Sequence, residues 1–143
     1  MIVKSILSAK GRDVATIAPT ATLAEATKIL SERKIGALVV TGAGGRIIGI
    51  LSERDIVRAL AQHGGDALQL PLTDVMTRKV VTCTPRDTVA VLMERMTAGK
   101  FRHLPVTDDG ALTGIISIGD VVKYRLTELQ FEQDAMRDYI QTA

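Results

Sequence analysis

The sequence has few of the residues on which several classes of protein depend. Of its 143 residues one is cysteine, none is tryptophan, and 3% are aromatic. A single cysteine, Cys83, excludes an intramolecular disulfide, and its place in an apolar, strand-like run is typical of a small buried residue in a reducing interior. So few aromatic side chains argue against a surface for single-stranded nucleic acid, whose bases stack on such side chains.

The sequence also lacks a strong charge of either sign and any long apolar run. Lysine and arginine total 18 against 16 aspartate and glutamate, a net charge of +2, which is too small for a polybasic surface. No segment, the N-terminus included, reaches the roughly 18 consecutive apolar residues of a membrane span. We therefore expect a cytoplasmic protein with no membrane or nucleic-acid partner, and 46% hydrophobic residues suffice for a core.

What the sequence does contain is an internal repeat. The run Val14–Pro19 is matched 66 residues later by Val80–Pro85, and this spacing persists along the following segment. The run Gly49–Asp55 is then matched 65 residues later by Gly114–Asp120. The spacing changes by one residue inside a glycine-rich or Asp-Gly turn, where a change of length is tolerated.

Each copy predicts the order strand, helix, strand, strand, helix. The short strands end at a proline, the first helices follow a threonine suited to capping, and the paired strands flank tight turns. The predicted strands are 15–18, 37–40 and 47–51 in the first copy and 81–84, 104–106 and 111–116 in the second; the predicted helices are 22–34 and 88–100, each followed by another around Ile56 or Val121.

These patterns predict an α/β fold of the α+β type with four parts: residues 1–65, a first copy with its lead-in; a linker, 66–79; a second copy, 80–126; and a C-terminal tail, 127–143. The linker should end in a short helix around Val75, with 3–7 as its counterpart before the first copy. A longer helix over 123–141 carries apolar residues that could cap the module or meet a partner chain. One copy alone buries little surface, so the two should pack with pseudo-twofold symmetry.

The order of elements, the runs Gly49–Asp55 and Gly114–Asp120 and the run Arg102–Val106 resemble the CBS domain, and two copies in tandem resemble a CBS pair, or Bateman module. The resemblance covers about residues 3–126. It implies clefts between the repeats that bind AMP, ADP, ATP, NAD(H) or S-adenosylmethionine, and a regulatory role. It also implies a homodimer. Because no enzyme, channel or transporter is attached, we expect a stand-alone sensor that signals to a partner in trans.

Each signature run places a serine and an aspartate three residues apart where a strand leads into a helix: Ser52 with Asp55, and Ser117 with Asp120. An aspartate there can accept both hydroxyl protons of a ribose diol, and the helix start favours phosphate. The alternative is a helix cap alone. Because the usual cap uses Glu or Gln, whose longer side chain reaches back, Asp in both copies favours a ligand site.

Basic residues near the signature runs are candidate phosphate ligands. Arg54 lies in the first turn of a predicted helix, where a cation opposes the helix dipole unless an anion binds nearby. A solvated arginine is the alternative. The second copy has Gly119 at this place, which permits close approach to the backbone but carries no charge.

The start of the second strand differs between the copies. Arg102 and His103 lie where the resemblance implies residues that contact phosphate, with an exposed edge pair as the alternative. The first copy has Gly36 and Ala37 at these places, so only Ala37 is expected to line its site. We therefore expect two sites that differ in ligand or affinity.

The first strand of each copy is the expected wall of an adenine pocket. The resemblance implies that Thr16 and Ile17, and likewise Thr82 and Cys83, line it through backbone groups and small apolar side chains. As strand residues they would also be present without any ligand.

No pattern indicates catalysis or a metal site. With Cys83 expected to be buried, and His63 and His103 in unrelated settings, no nucleophile is paired with a base, and no ligand-spaced cluster occurs. We expect no enzyme but a sensor with a bound adenine nucleotide, AMP first and NAD(H) or ATP next. The alternative is a constitutive dimeric scaffold with degenerate pockets that uses the C-terminal helix.

Overall fold

The computed structural model describes residues 1–142, which form five α-helices and five β-strands in two compact units. The first-copy unit consists of Asp13–Val81 with Asp109–Thr113; the second-copy unit consists of Met1–Arg12, Thr82–Asp108 and the residues from Gly114 onward. The elements are α1 (Val3–Lys10), β1 (Thr16–Ile17), α2 (Leu23–Arg33), β2 (Ala37–Thr41), β3 (Ile47–Ser52), α3 (Glu53–His63), α4 (Val89–Gly99), β4 (His103–Asp108), β5 (Ala111–Ser117) and α5 (Ile118–Thr142).

A three-stranded sheet of order β1-β2-β3 organises the first-copy unit. β1 lies parallel to β2, and β2 is antiparallel to β3, so the predicted hairpin is confirmed. The apolar face of α2 packs on this sheet, as its helical spacing predicts. The core of the unit is formed by Ile17, Leu23, Ala26, Leu30, Leu38, Val40, Leu51, Ile56, Ala59, Ala67, Leu72 and Met76.

The first helix of each copy has the predicted ends. The hydroxyl of Thr22 before α2, and that of Thr88 before α4, accepts a hydrogen bond of 3.2 Å from the backbone N–H three residues later. Each bond satisfies an N–H that has no partner within the helix. The helices end at Lys34 (φ 55°) and Lys100 (φ 57°), both in the left-handed conformation.

The first strand of each copy is shorter than predicted, and in the second copy it is reduced to one parallel bridge between Cys83 and Val106. In the first copy the N–H of Val39 donates to the carbonyl of Ala15 (3.1 Å). The equivalent of Val39 is Pro105, which has no N–H to donate. The proline therefore removes one of the hydrogen bonds that define a strand.

The segments that precede the two copies pair in matching ways. Ile2 forms an antiparallel bridge with Thr88, and Pro71, within the linker, forms the same kind of bridge with Thr22. The short helix predicted around Val75 is a 3₁₀ turn that lies slightly earlier, at Leu72–Asp74. The helix predicted over 3–7 is confirmed as α1.

Two glycines receive the side chains of these segments. A Cβ on Gly114 would lie 2.7 Å from a methyl group of Leu7, and one on Gly49 would lie 2.5 Å from the sulfur of Met76. Leu7 is therefore the structural equivalent of Met76. The sequence groups the lead-in with residues 1–65, whereas in the structure Met1–Arg12 belongs to the second-copy unit, because the apolar face of α1 is buried there.

The helix predicted around Val121 and the tail helix predicted over 123–141 form one continuous helix, α5. No glycine or proline follows Gly119, so nothing interrupts it. Its large apolar side chains beyond Tyr124 are exposed: Leu126, Leu129, Phe131, Met136, Tyr139 and Ile140. Within residues 1–142, no helix has the length and apolar character needed to cross a membrane.

Candidate functional site

The first half-site, Ser52 with Asp55, lies where β3 leads into α3. The Ser52 hydroxyl oxygen accepts a hydrogen bond from the Asp55 N–H (3.3 Å), and Asp55 Oδ2 accepts bonds from the N–H (2.9 Å) and hydroxyl (3.2 Å) of Ser52. Asp55 Oδ1 accepts from the hydroxyl of Thr77 (3.4 Å) and the guanidinium of Arg58 (3.3 Å). Asp55 is only 5% exposed, so these bonds compensate a buried charge.

The second half-site, Ser117 with Asp120, has the same geometry where β5 leads into α5. Asp120 Oδ2 accepts from the N–H (2.9 Å) and hydroxyl (3.0 Å) of Ser117, and Asp120 N–H donates to the Ser117 hydroxyl oxygen (3.2 Å). The same Oδ2 also accepts from Nζ of Lys10 at 2.6 Å. These three donors all reach Oδ2, so neither the cap nor the ion pair with Lys10 uses Oδ1 of Asp120.

The contacts of Asp120 set its charge state. Partial burial acts to raise the pKa of its carboxyl group, but the hydrogen bonds from Lys10 and Ser117 and the positive charge of Lys10 outweigh burial and hold the pKa below its usual range. Asp120 is therefore an anion at neutral pH, and both of its oxygens can accept hydrogen bonds from hydroxyl groups.

Both aspartates complete a capping box, which corrects one argument from the sequence. The presence of Asp instead of the usual Glu or Gln was the reason to favour a ligand site over a cap, yet the Ser52 N–H and the Ser117 N–H each donate to an aspartate Oδ2 at 2.9 Å. The cap uses one oxygen of each carboxylate. Capping and ligand binding are therefore compatible, because the second oxygen is not needed for the cap.

The other candidates of the first copy lie on the sheet and at the start of α3. Ala37 is the register partner of Ser52, so the structure brings these two together. Thr16 and Ile17 lie on the next strand, with Thr16 exposed and Ile17 buried. Arg54 is exposed in the first turn of α3, as the sequence predicts.

The other candidates of the second copy include three near the start of α5. The carbonyl of Arg102 accepts a hydrogen bond from the Ile118 N–H (2.8 Å), and His103 begins β4. Gly119 has room for a side chain, because an added Cβ would contact only the Ser117 hydroxyl oxygen, at 3.6 Å. Thr82 lies elsewhere, and its carbonyl accepts a hydrogen bond from the guanidinium of Arg95 on α4 (3.2 Å).

Cys83 lies in the second-copy unit and is buried, as predicted from the sequence. It is 1% exposed, and its N–H and carbonyl are both bonded to β4. Burial, with the negative charge of Asp87, raises the pKa of the thiol to about 12, against a smaller opposing effect of Arg95. The thiolate required of a nucleophile does not form at neutral pH. Across residues 1–142 no cluster of three or more potential metal ligands occurs.

The two carboxylates have three partners that were not expected from the sequence: Lys10, Arg58 and Thr77. Arg58 could have been found, because it lies one helical turn after Asp55. Thr77 and Lys10 carry no local signal, because they lie 22 and 110 positions away from the aspartates that they contact.

The family model for the CBS domain matches residues 3–62 and 72–127. A curated relative, the "CBS domain-containing protein CBSX3, mitochondrial" of Arabidopsis thaliana, is 36% identical over 124 residues, 84% of this chain. The chain spans 60% of the length of that relative. The crystal structure of the CBS-domain containing protein ATU1752 from Agrobacterium tumefaciens is 51% identical, with a TM-score of 0.85 over 87% of this chain and 92% of that chain.

Two further similar structures contain ligands. The CBS domain protein PAE2072 from Pyrobaculum aerophilum, complexed with AMP, is 30% identical, with a TM-score of 0.75 over 84% of this chain and 89% of that one. The CBS domain pair of protein MJ0100, in complex with 5′-methylthioadenosine and S-adenosyl-L-methionine, is 27% identical, with a TM-score of 0.80 over 90% and 98%. Since the family model matches most of the chain in two copies, this chain belongs to the CBS-domain family and contains a CBS pair.

Proposed function

We propose that this protein binds adenosine-containing ligands at its two half-sites and acts as a regulatory sensor rather than as an enzyme. The observation that carries the proposal is the repeated serine–aspartate pair, which has the same hydrogen-bonded geometry at the same strand-to-helix junction in both copies. The AMP bound to PAE2072 and the adenosine derivatives bound to MJ0100 support this ligand class. AMP is the first candidate, followed by ATP, NAD(H) and S-adenosylmethionine.

The proposed chemistry assigns a separate role to each part of a half-site. The carboxylate accepts hydrogen bonds from the two ribose hydroxyls. At Asp120 one hydroxyl binds Oδ1 and the other replaces Lys10 at Oδ2, and at Asp55 the hydroxyls replace the longer bonds from Arg58 and Thr77. The N–H groups at the start of α3 and α5 favour phosphate. Arg54 in the first copy, and Arg102 with His103 in the second, add positive charge or hydrogen-bond donors for the phosphate.

The remaining candidates are proposed to contact the base. Ile17 and Ala37 provide apolar contacts beside Thr16 in the first copy, while Thr82 and Gly119 offer backbone groups or space in the second. Cys83, whose own backbone groups are bonded to β4, supports this wall from beneath. The two half-sites differ in their charged neighbours, so we expect them to differ in affinity.

The proposal is tested by isothermal titration calorimetry of nucleotide-stripped protein with AMP, ATP, NADH and S-adenosylmethionine. The Asp55→Asn and Asp120→Asn variants keep the size of the side chain and an oxygen for the cap while removing the negative charge. A hydrogen bond to a charged group contributes about 1.5–3 kcal/mol, so each substitution should weaken its own half-site about 10- to 100-fold.

A matched control is Asp87→Asn, which removes a carboxylate bonded to Arg95 and Thr84 rather than one in a half-site. Binding unaffected by this control but weakened by the half-site variants supports the proposal. Absence of heat with every ligand, from protein shown by circular dichroism to be folded, rules it out.

Regulation further requires that the ligand changes how the protein meets a second molecule. We propose a cytoplasmic homodimer that signals to a partner in trans. The ligand can shift such an equilibrium only by its difference in affinity for the two states, typically about 1–3 kcal/mol. Sedimentation velocity with and without AMP would measure any such shift in assembly.

A second candidate function is a constitutive dimeric scaffold, and the exposed apolar residues of α5 are the observation that favours it. A shallow depression lined by Gln133, Met136, Arg137, Ile140 and Gln141 lies on the same helix. Loss of a dimer after truncation at about residue 126, in a protein that binds no nucleotide, would favour the scaffold over the sensor.

A further inference from the structure

The two half-site carboxylates receive different donors. Asp55 in the first copy is bonded to a residue of the linker, and Asp120 in the second copy is bonded to a residue of the lead-in. In the first copy, the Thr77 N–H donates to the carbonyl of Ile50 (2.9 Å), and the Thr77 hydroxyl donates to Asp55 Oδ1 (3.4 Å). In the second copy, Nζ of Lys10 donates both to the equivalent carbonyl, that of Ile115 (2.9 Å), and to Asp120 Oδ2 (2.6 Å). One ammonium group therefore bonds the same carbonyl and the same carboxyl group as Thr77 does, although it reaches Oδ2, the oxygen used by the cap, rather than Oδ1.

This exchange follows from the alignment of the lead-in with the linker. Since Leu7 is equivalent to Met76, the residue at the place of Thr77 is Ser8. The Ser8 hydroxyl does not reach the half-site but donates to the carbonyl of Lys4 (3.0 Å). The side chain of Lys10, two residues later, occupies the place instead. A neutral donor in one copy is thus replaced by a cation in the other.

The Lys10–Asp120 ion pair is accessible to a ligand that competes for Asp120. Their side chains are 30% and 19% exposed, and a lysine ammonium on its flexible stem can move to a new acceptor. A ribose diol that uses both oxygens of the Asp120 carboxylate competes with this ammonium at Oδ2. An uncharged or cationic ligand gives the displaced ammonium no new partner, whereas a phosphate on the same ribose does.

The first half-site also has a cation, but a different one. Arg58 lies on the same helix as Asp55, at 3.3 Å, and its side chain is 63% exposed. The equivalent place in the second copy holds Lys123, so Lys10 is an additional charge rather than the counterpart of Arg58.

We infer that Lys10 is a specificity-determining residue, which makes the Asp120 half-site prefer phosphorylated adenosine ligands over adenosine itself and over cationic adenosine derivatives. This inference rests on the proposed function, because it assumes that a ribose binds at Asp120. Lys10 pairs with Asp120 when no ligand is bound and with the ligand phosphate when AMP is bound.

The test measures the ratio of AMP to adenosine affinity in the full chain by calorimetry. Asp55→Asn is used as background so that the Asp120 half-site dominates the signal. Substitution Lys10→Met removes the charge, and Lys10→Gln keeps a neutral donor resembling that of Thr77. Both should lower the AMP-to-adenosine affinity ratio by about ten-fold, because one charge-assisted hydrogen bond to phosphate is lost, whereas relief of the competition for Asp120 applies equally to both ligands.

Lys4→Met is the matched control, since it removes the same charge from an exposed position on the same helix. It should change the ratio less than two-fold, as expected for a distant, screened charge. An unchanged ratio in Lys10→Met, or a preference for AMP fully retained in Lys10→Gln, overturns the assignment of Lys10.

Asp120→Asn distinguishes the failure of this inference from the failure of the proposed function. If this variant loses AMP binding while Lys10→Met leaves the ratio unchanged, the half-site binds nucleotide and only the role of Lys10 is wrong. If wild-type protein binds neither ligand, the proposed function fails, and the role of Lys10 fails with it.

Discussion

The contact between α1 and β5 allows a quantitative test of how the lead-in is held in the second-copy unit. A Cβ on Gly114 would lie 2.7 and 3.0 Å from the two methyl groups of Leu7 and 3.4 Å from its Cγ. Leu7 is 2% exposed, so it has little space into which to move. Gly114→Ala should therefore overpack this site and destabilise the protein by about 1–3 kcal/mol.

Substitution of Leu7 separates this overpacking from other effects. Leu7→Ala alone leaves a cavity and should cost about 2–5 kcal/mol. It also removes all three atoms that a Cβ on Gly114 would contact. The double variant should therefore be less destabilised than the sum of the single variants by about 1–3 kcal/mol, which is the cost of the removed overlap.

The assay is urea unfolding followed by circular dichroism, with free energies compared in a double-mutant cycle. Gly119→Ala is the matched control, because an added Cβ there makes only an ordinary contact of 3.6 Å. It should be neutral or stabilising by up to about 1 kcal/mol. Additive effects of Leu7→Ala and Gly114→Ala would refute the packing of α1 described here.

Three further predictions concern the caps, the ion pair and the thiol. Thr22→Ala and Thr88→Ala should each destabilise by about 1 kcal/mol in urea unfolding, and Thr→Ser should restore most of the loss; equal stability of the Ala and Ser variants would contradict the capping role. Lys10→Met should raise the pKa of Asp120 toward its usual range in a carbon-detected NMR titration, with Asp87 unchanged as internal control. Because folding lowers the pKa of Asp120, the stabilisation from Lys10 should be present above the usual carboxyl range and be lost as the pH falls through the lowered pKa; a difference in stability that persists in strong acid would argue against it. Cys83, with a pKa of about 12, should react with Ellman's reagent at about pH 8 far more slowly in the folded than in the unfolded protein, and rapid reaction of the folded protein would show that the thiol is accessible.

Most secondary structure could be predicted because its causes are local. The apolar spacing of α2 and α4, the threonine caps and the turn residues all act within a few positions of the chain. Because the sequence is repeated, each of these local patterns could be recognised twice. The differences between the copies could be explained only from the structure. In the first copy the Val39 N–H bonds to the neighbouring strand, and Pro105, the equivalent residue, has no N–H to form that bond, so the strand is reduced to a bridge.

The candidate site shows the same division. The sequence determined that serine and aspartate recur at both strand-to-helix junctions, because the helix start fixes both residues within one turn. It could not determine what surrounds the carboxylates. Thr77 reaches Asp55 across 22 positions of sequence, and Lys10 reaches Asp120 across 110.

For this protein, then, the sequence by itself determined the order of elements in the two copies, apart from the strand that is reduced to a bridge at Cys83, and the aspartates that mark their half-sites. Only the tertiary structure decided that the lead-in α1 packs in the second-copy unit and that a lysine there takes the place of a threonine. The physical reason is that packing of an apolar face and the reach of a flexible side chain depend on residues far apart in the chain, about which local periodicity carries no information.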